Sequence, residues 1–189
     1  MSVISTLLSR NSVKMVQGPG PSQEQLEQIL QTAMVAPDHG KLRPWRFKLI
    51  RGEAVEQLGD LSVQAMAEEG MAVAPTKEAS IRAWLKDVPL LIAVACHLDH
   101  SNERIPEHER LLATGAAVMN MLNAAHALGL GAYWSTGLGT YTHKVPEALG
   151  FDSLDYSFMG FVVVGSLPDN VPVKERPNFS DYVGEWKGL

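Results

Sequence analysis

Apolar residues recur along this chain with two different periods, and the switches between them mark its elements. Leu26, Ile29, Leu30, Ala33 and Met34 follow a helical period, which predicts a helix with one buried face. Ser22 precedes it with Gln25 three residues on, the spacing of a capping box, and Pro37 ends it. A shorter helix is expected over residues 3–9, ending at Arg10. Gly18-Pro19-Gly20-Pro21 then makes a turn, since neither residue type sustains a helix or a ladder. At Trp45 the period changes to two: Trp45, Phe47 and Leu49 alternate with Arg46 and Lys48, predicting a strand to Ile50. Glu53 to Glu69 reads as a helix closed by Gly70, residues 71–76 as a loop, and Lys77 to Lys86 as a further helix. Pro89 to Cys96 is a continuous apolar run of strand length, as expected of a central strand buried on both faces.

The most apolar stretch runs from Leu111 to Trp134. Asn120, Asn123 and His126 interrupt it and Gly129 and Gly131 break its end. It is therefore read as a buried helix plus a strand, not as the ~20 apolar residues of a membrane span. Pro106 opens the helix, Glu107 and Glu109 suit the positive end of its dipole, and Gly129 stands near its C-cap, just past Leu128. Apolar residues occupy nearly every side of it, which predicts burial all round and, in a chain this small, a second subunit over part of it. Gly131 to Thr136 is expected as a strand, Pro146 to Leu149 as a helical turn closed by Gly150, and Phe158 to Val164 as another buried strand. The tail from Pro168 to Leu189 carries Pro168, Pro172 and Pro177 and little periodicity, so it is expected to wrap over a surface. The order α-α-β-α-α-β-α-β-α-β lacks the strict alternation of a doubly wound sheet. It predicts an α+β fold with a mixed or antiparallel sheet flanked by helices, in one domain spanning 1–189.

Composition narrows the function classes. With 46% hydrophobic and 20% charged residues the chain is ordinary globular material, not a disordered one. A net charge of −5 supplies no global field for nucleic acid. The single cysteine, Cys96, excludes an intramolecular disulfide framework and a zinc ribbon. Its place at the end of a buried strand makes it a core residue before a nucleophile. No basic region precedes the short apolar stretch at the N-terminus, so no signal peptide is read and a cytoplasmic location is expected.

Three polar clusters are candidates for chemistry. Arg10-Asn11-Ser12-Val13-Lys14 follows a helix. In an extended segment Arg10, Ser12 and Lys14 point to one side, a set suited to phosphate oxygens and equally to a solvated stretch. Ala36-Pro37-Asp38-His39-Gly40-Lys41-Leu42-Arg43-Pro44-Trp45 joins a helix to a strand. There Asp38-His39 is either a base with an orienting carboxylate or a solvated turn. Ala132 to Thr140 runs from a strand into a Gly-rich turn, where Trp134, Ser135 and Thr136 either flank a flat ring or simply end a strand. His97, Asp99 and His100, with His108 and His39, offer metal-ligand types, but they follow the strand in what reads as an exposed loop and no His-Glu-x-x-His helix is present, so a metal-dependent hydrolase stands only as a lesser alternative. No nucleophile elbow and no Walker loop are present.

Taken in order, these pieces resemble the nitroreductase family of FMN-dependent NAD(P)H oxidoreductases, in its small single-domain branch. The resemblance runs from Leu7-Leu8-Ser9-Arg10-Asn11-Ser12-Val13-Lys14 through Ala36-Pro37-Asp38-His39 and Pro44-Trp45. It continues through Ala124-Ala125-His126-Ala127-Leu128-Gly129-Leu130-Gly131, Trp134-Ser135-Thr136-Gly137 and the Gly160 to Gly165 strand. It implies a homodimer with two FMN sites at the subunit interface. Arg10, Asn11 and Ser12 would hold the FMN phosphate and ribityl chain, and Lys14 would meet the pyrimidine edge. Val35 and His39 would reach the cofactor from the partner chain, and Trp134, Ser135 and Thr136 would border the ring and ribityl groups. The implied reaction passes a hydride from NAD(P)H through the flavin to a small acceptor such as a nitroaromatic or quinone, in a ping-pong cycle, with no catalytic side chain named. The alternative is a flavin-binding carrier or sensor without turnover. Many members have glutamine where Arg43 stands and asparagine where Lys41 stands. The C-terminal basic phosphate anchor of larger members has only Lys174 and Arg176 as candidates.

Overall fold

The computed structural model describes residues 2–102, 104–171 and 174–188. Its helices are α1 (Val3–Ser9), α2 (Gln23–Ala33), α3 (Glu53–Glu68), α4 (Pro75–Asp87), α5 (Glu107–Ala127) and α6 (Lys144–Ala148). The strands are β1 (Trp45–Ile50), β2 (Leu90–His97), β3 (Leu130–Ser135) and β4 (Tyr156–Ser166). The elements and their order agree with the periodicity, and the capping box forms: the Ser22 hydroxyl accepts from Gln25 N–H while the Gln25 side chain accepts from Ser22 N–H at 2.9 Å. The helix expected to start at Lys77 starts two residues earlier, because Pro75 occupies the first turn, where a missing N–H costs nothing.

The four strands form one sheet in the order β1-β2-β4-β3, and every pairing is antiparallel. Of the expected mixed or antiparallel arrangements, the second is realised. Side chains alternate across it. Trp45, Leu90, Ile92, Val94, Ala132, Val162 and Val164 pack against α2 and α5. Leu91, Ala93, Ala95, Phe161 and Val163 pack with residues of α3, α4 and α6 on the opposite face. With helices on both faces, β2 and β4 read as continuous apolar runs although their pairing is antiparallel.

Close backbone approaches fix the end of β3. Residues 13–17 lie along its outer edge, with Val13 N–H donating to Ala132 and a bridge from Gln17 to Ser166. Gly131 permits this, since a Cβ there would lie 2.9 Å from Val16 Cγ1. On the inner side β4 carries a bulge. Val94 faces Gly160 while Ala95 faces Phe158, leaving Met159 as the extra residue. Gly160 has φ +93°, and a Cβ on it would lie 2.3 Å from the Ser135 carbonyl oxygen.

One chain by itself covers only part of α5, and the remainder is where the sequence expects a second subunit. Ala117, Val118, Met121 and Ala125 are buried, but Leu112 is 69% and Met119 43% exposed. Periodicity reports the apolar faces of a helix and not what covers each of them. Of the tail, residues 172, 173 and 189 lie outside the described residues. Within the described part, Phe179, Tyr182, Val183 and Trp186 are 65–83% exposed. No described helix is long and apolar enough to cross a membrane.

Candidate functional site

Pairing along the outer edge of β3 brings two of the three polar clusters together. Because Val13 turns inward and bonds to Ala132, Ser12 and Lys14 face outward beside the end of the strand. Lys14, Tyr133, Ser135 and Gly137 line one cavity of about 140 Å³, closed on its far side by Lys77, Ser80, Ile81 and Trp84 of α4. Trp84 holds the segment in place: its indole N–H donates to the Lys14 carbonyl at 3.1 Å, and the Lys14 ammonium sits 5.7 Å from the indole centroid. Burial raises the Tyr133 hydroxyl above its ordinary pKa, against an opposing hydrogen bond with Ser135. The Ser135 hydroxyl also accepts from Gly137 N–H at 3.2 Å, shaping the turn that leaves the strand.

Arg10 stands at the end of α1 with its Nη1 buried and without a hydrogen-bond partner among the described residues. Arg176 of the tail comes to it: Nη2 donates to the Arg10 carbonyl at 2.5 Å and to Asn11 Oδ1 at 2.9 Å. Burial first, and then the Arg176 charge, hold the Arg10 pKa below its ordinary value. Two guanidinium groups at one segment, one of them with an unpartnered nitrogen, are a donor set whose chemistry suits an anion's oxygens. Sequence reading had only loose grounds for Arg176, because the tail shows no periodicity that would place it.

The other expected residues lie elsewhere. Trp134 alternates to the opposite face from Ser135, where its indole N–H donates to the Met159 carbonyl at 2.7 Å. Its ring approaches Gly115 of α5. Thr136 is exposed at the start of the turn. Val35, 77% exposed, lines a cavity of about 620 Å³ with Thr6 and Leu7 of α1 and Asn120 and Asn123 of α5. His39 is held at the opposite end of α5 from Arg10, its Nδ1 2.5 Å from Glu109 Oε2. Ser9, next to Arg10, meets His126 at 2.8 Å. Glu109 and His126 stand seventeen positions apart in α5, about 25 Å along the axis. Within one chain His39 and Arg10 are therefore far apart. Asp38 is not the carboxylate that orients His39. Its Oδ2 accepts from Arg43 N–H at 2.6 Å and closes the turn, while Glu109, seventy residues on, takes the imidazole. Among the described residues no three His, Cys, Asp or Glu side chains gather as metal ligands.

Comparison with known proteins decides the kinship. The model of the Nitroreductase family matches residues 7–166. The chain belongs to the nitroreductase family. This member is 34% identical over 169 residues to YdjA of Escherichia coli, which bears the name of an NAD(P)H nitroreductase, covering 88% of each chain. By that membership it is an oxidoreductase. Its fold is shared with a nitroreductase-like protein from Bacillus cereus at a TM-score of 0.85 and 23% identity, covering 100% of this chain and 97% of that one. It is shared also with a nitroreductase-type protein in complex with FMN from Desulfovibrio desulfuricans, at 0.76 and 23%, covering 100% and 99%. The family match spans both clusters that the β3 edge joins, and it stops at Ser166, short of Arg176.

Proposed function

We propose that this nitroreductase-family chain is an FMN-dependent oxidoreductase that oxidises NAD(P)H and reduces a small acceptor such as a nitroaromatic or quinone, as a homodimer with sites at the subunit interface. The observation that carries the reading is the Arg10–Arg176 pair. A buried guanidinium nitrogen without a partner, beside a second cation and a side-chain amide, fits a phosphate dianion, whose oxygens accept from both forks. Ser12 adds a hydroxyl on the same side of the segment. A cofactor with a terminal phosphate and a flat ring would set its phosphate at this pair and its ring edge beside Lys14 and the β3 turn.

When bound, FMN supplies hydride acceptance and delivery at N5, and the protein supplies position and charge. Arg10, Asn11, Ser12 and Arg176 anchor the phosphate end. Lys14 presents a cation to the ring's pyrimidine edge, and Ser135 and Thr136 border the ring. No side chain is assigned acid–base work in taking the hydride.

Val35 and His39 join the cofactor from the partner subunit in this reading. For His39, the 25 Å run of α5 that separates it from Arg10 supports that assignment, because one chain cannot bring both to one flavin. The exposed apolar residues Val3, Ile4, Leu7 and Leu8 on α1, with Leu112 and Met119 on α5, supply a face for a second copy.

The test is the visible spectrum of the purified protein before and after anaerobic NADPH or NADH. A yellow protein whose flavin band bleaches supports the reading. A yellow protein that does not bleach makes it a flavin carrier or sensor. A colourless protein that takes up no added FMN overturns it.

A further inference from the structure

We propose that Glu109 of α5 is a positioning residue for flavin binding. It locks the His39 imidazole with the proton on Nδ1, so that Nε2 meets the FMN of the second subunit as a hydrogen-bond acceptor. The inference rests on the FMN reading above and deepens it.

The pair joins two elements seventy residues apart, with His39 Nδ1 2.5 Å from Glu109 Oε2. An ionised carboxylate only accepts, so Nδ1 is the nitrogen that donates. That decides the role of the other nitrogen: on a neutral ring, Nε2 is a bare acceptor. The imidazole side chain stays 66% exposed, and among the described residues Nε2 meets no hydrogen-bond partner. One nitrogen is tied down and the other is presented to whatever docks at this end of α5.

Local structure gives Glu109 no competing task. It is the third residue of α5, where a glutamate ordinarily reaches back to the N–H of the capping residue. The capping residue here is Pro106, which has no N–H. The carboxylate is therefore free to turn to His39, and the positive end of the helix dipole favours its charge.

The turn that carries His39 is held against its own preferences. Gly40, Lys41 and Arg43 have φ of +73°, +56° and +48°. Lysine and arginine seldom take this left-handed region, and such backbone persists only where neighbours enforce it. Two contacts enforce it here. Asp38 Oδ2 accepts from Arg43 N–H at 2.6 Å. Gly40 lies so near Ile105 that a Cβ would strike its Cδ1. Ile105 is itself fixed, since Arg110 Nη2 donates to its carbonyl at 2.9 Å. Strained backbone that is clamped from two sides, and that presents one oriented imidazole, is the pattern of a functional side chain.

An acceptor nitrogen needs a donor. The ribityl hydroxyls of FMN donate, whereas its phosphate oxygens accept. The experiment has two readouts, both at a pH of about 8, where a free imidazole is neutral. The first is the ring-nitrogen NMR spectrum of apoprotein labelled with nitrogen-15 histidine, with His39 assigned by its loss in His39→Ala. The wild type is expected to show a protonated Nδ1 and a bare Nε2. Glu109→Gln, whose amide can donate or accept, is expected to show both tautomers. A protonated Nε2 in the wild type overturns the inference.

The second readout is titration of the apoprotein with FMN and with riboflavin, for the wild type, His39→Ala, Glu109→Ala, Glu109→Gln and the double alanine variant. Glu109→Ala is expected to weaken FMN binding roughly fivefold, the scale of one hydrogen bond. Riboflavin is expected to lose as much, because both ligands carry the ribityl chain. The double variant is expected to match His39→Ala, since Glu109 acts through the ring, whereas a merely structural glutamate would add its own loss. Additive losses overturn the inference. Losses confined to FMN put His39 on the phosphate and overturn it too. So does wild-type affinity in both Glu109 variants while His39→Ala binds weakly. A wild type that takes up no FMN, or His39→Ala that binds it unchanged, instead overturns the functional reading itself.

Discussion

Gly160 is where the sheet and the candidate site are coupled most tightly, and Gly160→Ala measures that coupling. Two effects add. The backbone at φ +93° is a region that side chains rarely adopt, costing about 1–3 kcal/mol. The new methyl group would stand 2.3 Å from the Ser135 carbonyl oxygen and 3.3 Å from Thr136 Cα. Both are backbone atoms that no rotamer change can move, and the first is more than an ångström inside ordinary contact. Relieving it means prising the end of β3 from β4, an overpacking cost of about 1–3 kcal/mol. Together they predict a loss of about 3 kcal/mol, and in a domain of this size a fall in Tm of about 6–12 °C. Gly70→Ala is the control. Its φ is +73° but nothing lies within 4 Å of the new Cβ, so strain acts alone, at about 1 kcal/mol and 2–4 °C. Thermal unfolding of the apoproteins by circular dichroism compares the two. FMN titration adds the functional half, since a shift of Ser135 and Thr136 weakens the site while the Gly70 change leaves it intact. Equal Tm values for the two variants would refute the argument, because they would show that contact at Ser135 adds nothing to strain.

Arg176→Ala is expected to weaken FMN binding by roughly tenfold while leaving riboflavin binding unchanged, because the lost partner is one for phosphate; equal losses for both ligands in fluorescence titrations contradict the anchor. Leu112→Glu places a charge on the exposed apolar face of α5 and should shift the protein to monomers by light scattering, with flavin lost in parallel. Burial chiefly pushes the Cys96 thiol above its ordinary pKa, with a hydrogen bond to Thr114 and the Arg110 charge pulling the other way. The native thiol should therefore resist labelling that the unfolded chain accepts at once. Because the unfolded thiol ionises first, stability should fall as pH rises past the ordinary thiol range, and Cys96→Ala should flatten that part of the profile seen in denaturant titrations.

Local signals carried the fold further than they carried the site. The capping box at Ser22, the alternation from Trp45 to Ile50 and the apolar run into Cys96 each depend on neighbours a few residues apart, and each formed as expected. What stayed hidden depends on distant partners. Glu109 reaches His39 across seventy residues, and in sequence it looks only like an acid at a helix start. Arg176 meets Arg10 and Asn11 from a tail without periodicity. Trp134 and Ser135 are neighbours in sequence, yet the pleat sends them to opposite faces of the sheet.

The length of α5 has a thermodynamic consequence. If each flavin is gripped by Arg10 at one end of this strut and by His39 from the far end of a neighbour's, no protomer alone owns a complete grip. Flavin uptake and self-association are then linked equilibria, each strengthening the other by the same factor. Dilution would bleed cofactor from the protein and excess FMN would draw protomers together, so the loaded fraction would track how much of the chain a cell makes.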